Sequence, residues 1–181
     1  MNDWLRGRPE TGEFAPYASA YIDLVPGDDV IQALAAQVKA TESLLADIDE
    51  RTASTRSYAP GKWTVKQIVG HVTDTERIFG YRALCVSRND PRPLPGFDQD
   101  DYVRAAGANN RRLSDLLDEL ASVRASTILL FGSADRETWR RRGIVNGFDV
   151  TMRGLAFHVA GHELHHVRIL REKYLEQWPA E

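Results

Sequence analysis

The chain has 181 residues, of which 43% are hydrophobic and 27% charged, an ordinary composition for a globular domain with a buried core. Its net charge of −3 argues against nucleic-acid binding, because phosphate backbones attract basic surfaces. No segment has the roughly 20 apolar residues of a membrane span, and the N-terminal segment lacks the apolar centre of a signal peptide. The single cysteine, Cys85, cannot form an internal disulfide, so we expect a cytoplasmic protein.

A single domain is predicted for residues 1–181, because no internal repeat, low-complexity tract or linker divides the sequence. Residues 1–27 are rich in glycine, proline and aromatic side chains, which predicts an irregular arm lying over the body. Residues 28–178 are predicted to form a helical bundle. From Asp28 as far as Ile48, apolar residues recur at three- and four-residue spacings, which indicates the first long helix.

A second long helix is predicted after a break in the pattern at Arg51–Gly61. Thr64 and Gln67 form a capping box, in which each side chain accepts a hydrogen bond from a free backbone N–H. Apolar residues then continue the helix to about Ser87. The proline-rich segment that follows, Arg88–Val103, is predicted to be a loop, because its prolines do not fit inside a helix or a central strand.

Two more long helices complete the prediction. The third covers about Leu113–Phe131, and the last has Thr151 as its N-cap and runs to about Glu176, before Pro179. The Gly-containing segment Gly143–Val150 leads into the last helix, and the chain as a whole carries almost no strand signal. Four long helices with connections long enough to cross the end of the body predict an all-α fold, a four-helix bundle.

Four of the five histidines lie on the last helix, and the fifth, His71, lies on the second. His158, His162 and His166 follow at four-residue intervals, so they share the face that packs into the core, with His165 at its edge. One buried histidine is usually an ordinary core residue. A buried pair one turn apart needs two separate partners, whereas a single divalent cation satisfies both rings.

Residues 162–166 read HELHH and match H-E-x-x-H, a zinc-protease motif in which Glu163 would be the general base. Residues 167–181 do not supply the third ligand that zinc proteases carry downstream. The third ligand therefore comes from upstream, and His71 is the only histidine outside this helix. We interpret the protease match as a coincidence.

The last helix offers two histidine pairs that can share an ion with His71, namely His162 with His166 or His158 with His162. One ion cannot bind all three, because a rigid helix separates positions i and i+8 by about 12 Å. The spacing leaves both pairs open.

Three segments resemble the DinB/YfiT-like superfamily of metalloenzymes: PGKWTVKQIVGHVTDTERIFGYRAL, PLPGFDQDDYV and GHELHHVRILREKYL. The resemblance extends from about Ile31 to Leu175 and implies an up-down-down-up four-helix bundle. It also implies that His71, His162 and His166 bind one divalent metal ion, zinc or nickel. By the same resemblance, the remaining two histidines are not primary ligands.

Three protein ligands leave a coordination position for water or substrate, which is typical of catalytic metal sites. The resemblance favours thiol-dependent S-transferase chemistry, in which a low-molecular-weight thiol is ionised and then attacks an electrophile. Hydrolysis by metal-activated water is the second hypothesis. A non-catalytic metal-binding protein of the stress response is the third. Both enzymatic hypotheses imply a small-molecule substrate.

Other side chains are candidates for the surroundings of the metal. Asp74 and Thr75 lie three and four residues after His71, on the same helical face, within reach of the metal or its ligands. Glu163 adjoins His162 but points about 100° away from it. We expect Glu163 to be a salt-bridging surface residue rather than a base.

Arg77 and Arg82 are candidates for binding a substrate carboxylate, which the planar guanidinium group matches. The interpretation that we favour makes both of them helix-surface charges that pair with Asp74, Glu76 or Asp101.

A homodimer is predicted, because the arm at 1–27 and the loop at 91–102 are rich in proline and aromatic residues and need a surface to cover. The loop can instead cover the mouth of the site, and the sequence does not distinguish the two roles.

Overall fold

The computed structural model describes residues 6–175. Its helices are α1 Ser19–Ile22, α2 Val30–Leu45, α3 Glu50–Thr55, α4 Val65–Ser87, α5 Gln99–Ala106, α6 Leu113–Gly132, α7 Arg136–Trp139 and α8 Met152–Ile169. Two 3-10 turns occupy Pro16–Ala18 and Ala108–Asn110, and a π-helical turn, Leu170–Leu175, continues α8. Two antiparallel strands, β1 Arg142–Val145 and β2 Phe148–Thr151, lie between α7 and α8. The predicted ends of the last helix at Glu176 and of the bundle at residue 178 lie outside the described residues.

The four long helices α2, α4, α6 and α8 pack together as a bundle, which confirms the predicted fold class. Helices α2 and α4 each contact both α6 and α8. Buried apolar side chains form two clusters, one that includes Phe131, Trp139 and Phe157 and one that includes Leu116 and Leu120. Within the described part of the chain, no helix is both long enough and apolar enough to cross a lipid bilayer.

Two predicted caps determine where the histidine-bearing helices begin. At the start of α4, Gln67 N donates to Thr64 Oγ1 at 3.2 Å and Thr64 N donates to Gln67 Oε1 at 2.9 Å. This reciprocal pair is the predicted capping box. At the start of α8, Gly154 N donates to Thr151 Oγ1 at 2.9 Å. The predictions of both helix starts are confirmed.

The segment Gly143–Val150, interpreted from the sequence only as the connection to the last helix, forms most of a β-hairpin. Asn146 and Gly147 occupy the turn with positive φ angles of 51° and 80°. An Asn-Gly pair is a strong hairpin signal, because both residues tolerate the left-handed conformation that a tight turn requires. The four-residue strands are too short to show clear alternation.

The proline-rich loop ends earlier than predicted, because α5 includes its residues 99–103. Asp98 starts this helix by accepting hydrogen bonds from Asp100 N and Asp101 N, both at 2.9 Å. An aspartate N-cap satisfies backbone donors at the start of a helix, even where the helix is too short to show apolar periodicity.

The connection between the first two long helices also differs from the prediction. Helix α2 ends at Leu45 rather than Ile48. Helix α3 overlaps the segment Arg51–Gly61, which was predicted to break the helical pattern. It begins where Asp49 Oδ1 accepts a hydrogen bond from Thr52 N at 2.9 Å. As at α5, an aspartate cap starts a short helix.

The N-terminal arm contains α1 and packs against α8, so it is not irregular throughout. Arg8 holds the arm together by donating to Val25 O at 2.7 Å and to Ile22 O at 2.6 Å. Gly161 of α8 permits the close approach, because an added Cβ atom there would overlap the backbone carbonyl of Tyr21.

The substitution Gly161→Ala should destabilise the protein by about 1–3 kcal/mol, because its methyl group meets rigid backbone. Urea unfolding measures the change. Gly80→Ala is the matched control, since Gly80 lies within α4 and has nothing within 4 Å of an added Cβ atom. Alanine at that position should stabilise the helix by about 0.5–1 kcal/mol. Equal effects of the two substitutions would contradict the packing of the arm on α8.

Candidate metal centre

Three histidine rings from α4 and α8 face one another inside the bundle. His71 Nε2 lies 3.1 Å from His162 Nε2, and His166 Nε2 lies 3.2 Å from the same atom. All three residues are buried, and their potential ligand atoms lie within 4.8 Å of one another. Two nitrogens bound to one tetrahedral zinc ion are about 3.3 Å apart, so the two short separations are close to those of a metal site.

Hydrogen bonding alone does not account for this arrangement. A neutral imidazole has one N–H and one acceptor nitrogen, so His162 Nε2 either donates or accepts at a single in-plane position. Nevertheless, two other ring nitrogens lie within hydrogen-bond distance of it. A divalent cation satisfies several neutral imidazole nitrogens at once, and the three residues therefore fit a metal ion.

Burial keeps the three rings neutral. Desolvation lowers the pKa of His71 to about 4 and the pKa of His166 to about 3. It also lowers the pKa of His162 well below its ordinary value, and repulsion from the neighbouring histidines adds to this shift. A neutral imidazole is the form that binds a metal ion, so the cluster is ready to bind one at neutral pH.

Metal-free protein should lose stability as the pH falls from about 6.5 to about 4. Histidines of the unfolded chain take up protons near pH 6.5, whereas the lowered pKa values of His71 and His158 keep the folded rings neutral down to about pH 4. Stability is therefore complete above pH 6.5 and declines below it, by about 1.4 kcal/mol per pH unit for each such histidine.

Thermal unfolding of chelator-treated protein at several pH values above 5 measures this decline, before most carboxylates titrate. The variant His158→Phe removes one of the buried titrating rings and should show a shallower dependence on pH. A melting temperature that stays constant from neutral pH to about pH 5 would contradict the prediction.

Aromatic side chains surround the cluster. The ring centroid of Trp63 lies 4.6 Å from that of His71 and 6.2 Å from that of His166, with which it is stacked. Tyr21, in α1, packs edge-on against His162 at 5.8 Å. His166 Nδ1 is buried and has no hydrogen-bond partner among residues 6–175, so packing holds this ring in place. Tyr21 was not predicted, because only the aromatic content of the arm pointed to it.

The other two histidines lie outside the cluster. His158 lines an adjoining cavity, and His165 is half-buried at the edge of the helix face. Of the two pairs that the spacing left open, His162 with His166 is the one that the structure brings to His71.

Two cavities adjoin the cluster. One, of about 150 Å³, has His71 and His162 in its wall, and the other, of about 340 Å³, has His166 in its wall. Gln99, at the start of α5, lines both. A larger groove of about 610 Å³ lies between α4 and α6 but contains no histidine. Proximity to the cluster, rather than volume, therefore identifies the candidate substrate cavities.

The loop at 91–102 covers the smaller cavity, which is one of the two roles left open for it. Phe97 and Gln99 line this cavity, as does Asn146 from the hairpin turn. The loop is attached to the hairpin by a hydrogen bond from Asn146 N to Leu94 O at 2.8 Å. A wall that brings together these distant segments was not predictable from either segment alone.

The sequence matches the family model of the DinB superfamily over residues 32–170. The chain belongs to the DinB superfamily. This confirms the resemblance inferred from the sequence. A search of curated protein sequences found no significant match.

Solved structures share the fold of this DinB chain. YfiT from Bacillus subtilis, described as a probable metal-dependent hydrolase with an unusual four-helix bundle topology, is 16% identical with a TM-score of 0.77, over 98% of this chain and 99% of YfiT. A mycothiol-dependent maleylpyruvate isomerase is 11% identical with a TM-score of 0.64, over 77% of this chain. The chain spans 58% of the isomerase's length. At these identities the similarity shows the fold alone.

Of the DinB chain's residues expected near His71, Thr75 lines the smaller cavity. Its hydroxyl is buried and has no hydrogen-bond partner in the described part of the chain. Asp74 does not line this cavity and lies 3.6 Å from Arg77, which also pairs with Glu119 at 2.6 Å. Arg77 is thus a helix-surface charge paired with acids, as the favoured interpretation predicts.

Glu163 lies inside the DinB bundle, so the expectation of a surface residue was wrong. It is 1% exposed, pairs with Arg124 at 2.7 Å and accepts a hydrogen bond from Thr41 Oγ1 at 2.7 Å. Arg124 also pairs with Glu76 at 2.7 Å. The 100° rotation away from His162 directs Glu163 towards a neighbouring helix instead of solvent, and a helical wheel cannot distinguish these directions.

Proposed function

We propose that this chain is a divalent-metal-dependent enzyme acting on a small molecule, with His71, His162 and His166 as ligands to zinc or nickel. The observation that carries this proposal is the convergence of three buried, neutral imidazoles beside two cavities. Structural zinc sites are usually closed by four protein ligands, whereas catalytic sites leave a position for water or substrate. Within residues 6–175, no fourth histidine, cysteine or carboxylate joins the cluster.

The reaction that we propose is transfer of a low-molecular-weight thiol to an electrophile. A transfer reaction needs room for two substrates, and cavities of about 150 and 340 Å³ adjoin the cluster on the His162 and His166 sides. The chemistry that a bound metal ion supplies is a lower pKa for a water or thiol in the free position. The shared fold with a mycothiol-dependent isomerase supports a thiol as one substrate.

The protein side chains would orient the substrates and exclude water. Trp63 and Tyr21 pack against the histidine rings and limit their rotation. Gln99 lies where the walls of the two cavities meet, so its amide can hydrogen-bond to a substrate on either side. Thr75 offers a hydroxyl without a protein partner in the described residues.

Hydrolysis is the second candidate. It is supported by the similarity to YfiT, which is described as a probable metal-dependent hydrolase. The similarity covers nearly the whole of both chains. A hydrolase would use water where the transferase uses a thiol, with the same three histidines.

The two reactions are distinguished by an assay panel on protein purified without a metal-affinity tag. We expect about one zinc or nickel ion per chain by elemental analysis, and turnover only when a thiol such as mycothiol is supplied with an electrophile. Chelation should abolish this turnover and added metal should restore it. Turnover of esters or amides without a thiol would favour the hydrolase. Bound metal without turnover, either with a thiol and an electrophile or with esters and amides, would favour the non-catalytic metal-binding protein.

The homodimer remains a proposal, as does a cytoplasmic location. The arm and the loop at 91–102 both contact the surroundings of this chain's own site, so they do not require a partner surface. A monomer mass by light scattering at micromolar concentration would contradict the homodimer.

A further inference from the structure

Arg82 is a buried cation without an acidic partner. It is 4% exposed, and its Nη2 donates to Pro95 O at 2.7 Å. Within residues 6–175, no carboxylate lies within ion-pair distance of it. Two of the acids expected to pair with it, Glu76 and Asp101, pair with Arg124 and Arg104 instead. The interpretation of Arg82 as a paired surface charge was therefore wrong.

The other buried arginine, Arg124, has the acidic partners that Arg82 lacks. Arg124 is 1% exposed and pairs with two carboxylates, whereas Arg82 lies over the rings of Phe79 and Phe97, 4.9 and 5.8 Å from their centroids. Ring faces attract a cation but replace only part of its lost hydration. Burial accordingly lowers the pKa of Arg82. An anion beside this guanidinium would offset the cost of burying it.

The cavity that Arg82 lines is the one that adjoins the histidine cluster. Arg82 follows His71 by eleven residues, or about three helical turns, so both lie on one face of α4. Both line the cavity of about 150 Å³, and no aspartate or glutamate does. The unpartnered hydroxyl of Thr75 and the side-chain amide of Asn146 add hydrogen-bond donors to the same wall. The cavity therefore suits an anionic ligand.

We propose that Arg82 binds a carboxylate group of the substrate in this cavity. The proposal rests on the proposed function, because the other end of the substrate would meet the histidine cluster. A planar guanidinium presents two parallel N–H donors that match the two oxygens of a carboxylate. At about 150 Å³ the cavity is smaller than the roughly 300–1,000 Å³ of pockets for drug-sized ligands, which favours an acid of few carbon atoms.

Two thiols that differ only in the carboxylate test this proposal, 3-mercaptopropionate and 3-mercaptopropanol. Each is titrated into cobalt-loaded protein, in which thiolate binding is read from the charge-transfer absorption. We expect the acid to bind about 10- to 100-fold more tightly than the alcohol, the usual range for hydrogen bonds to charged groups. Arg82→Met should abolish this preference, and Arg82→Lys should retain part of it. Arg77→Met, an exposed cation on the preceding turn, should leave the preference intact.

A second measurement separates this proposal from the metal chemistry. Propionate and propionamide are compared by calorimetry on metal-free protein. A preference for propionate that disappears in Arg82→Met supports the carboxylate site. This result does not depend on whether a thiol binds to cobalt. Equal binding of the two thiols to cobalt-loaded protein would overturn the carboxylate site while leaving the metal site intact. Tighter binding of inorganic phosphate than of propionate would also overturn it.

The stability of the variants separates ligand binding from a structural role. Because Arg82→Met breaks no ion pair within the described residues, its melting temperature should equal or exceed that of the wild type. A large fall in melting temperature, in Arg82→Lys as well as in Arg82→Met, would assign Arg82 a structural role and overturn the proposal.

Discussion

Alanine at His71, His162 or His166 should each reduce the metal content from about one ion per chain to near zero, whereas alanine at His158 or His165 should leave the ion bound. The physical reason is the separation of the ring nitrogens. Three of them meet within 4.8 Å, and losing any one leaves two ligands, too few to hold a divalent ion against dialysis. Elemental analysis of untagged, dialysed protein measures the content directly.

His158→Ala is the closest control, because His158 lies on the same face of α8 and is as buried as His162, at 7% exposure each. Circular dichroism of each variant establishes that metal loss does not follow from unfolding. If His158→Ala empties the site and His166→Ala leaves it occupied, the ligands come from the adjacent turn of the helix, and the proposed ligand set is wrong.

Arg124→Met should lower the free energy of unfolding by about 3–5 kcal/mol, because it leaves two buried carboxylates without their cation. Glu76 and Glu163 are 2% and 1% exposed, and Arg124 Nη1 also donates to Leu34 O at 3.0 Å. The arginine therefore ties α6 to α4, α8 and α2. Urea unfolding measures the loss. Because α4 and α8 carry the three histidines, the variant should also bind metal more weakly.

The matched control is Arg104→Met, whose ion pair with Asp101 is solvent-exposed and should contribute nothing measurable. A second variant combines Arg124→Met with Glu76→Gln and Glu163→Gln, and it should recover part of the stability, because no buried charge is then left unpaired. A loss below about 1 kcal/mol in Arg124→Met would contradict the account of this network as the bundle's central ionic contact.

The long helices could be predicted from the sequence because their signals are local. Apolar residues recur along one face of each helix, and the hydroxyls of Thr64 and Thr151 cap α4 and α8 within three residues of the helix start. The short elements escaped prediction because one or two turns of helix or four residues of strand show no clear period. Their signals were single residues, such as the aspartate caps at Asp49 and Asp98 and the turn at Asn146.

The histidine face of α8 was also predictable, since a four-residue spacing places side chains on one stripe whatever the helix packs against. Which pair on that stripe meets His71 depends on how α8 is shifted along its axis relative to α4. A shift of one turn, about 5.4 Å, exchanges the pair of His162 and His166 for that of His158 and His162. Helix periodicity carries no information about that shift, and the family resemblance was needed to favour one pair.

Local sequence patterns were enough to predict the helical bundle, the face on which the histidines lie and the type of ligand that they offer. Which charges are buried, and with which partners, became apparent only from the packing of the helices. Glu163 and Arg82 both look like surface residues along the chain, yet one pairs with Arg124 and the other has no acid beside it. The physical reason is that desolvation and pairing depend on neighbours contributed by other helices, and those neighbours come together only when the bundle packs.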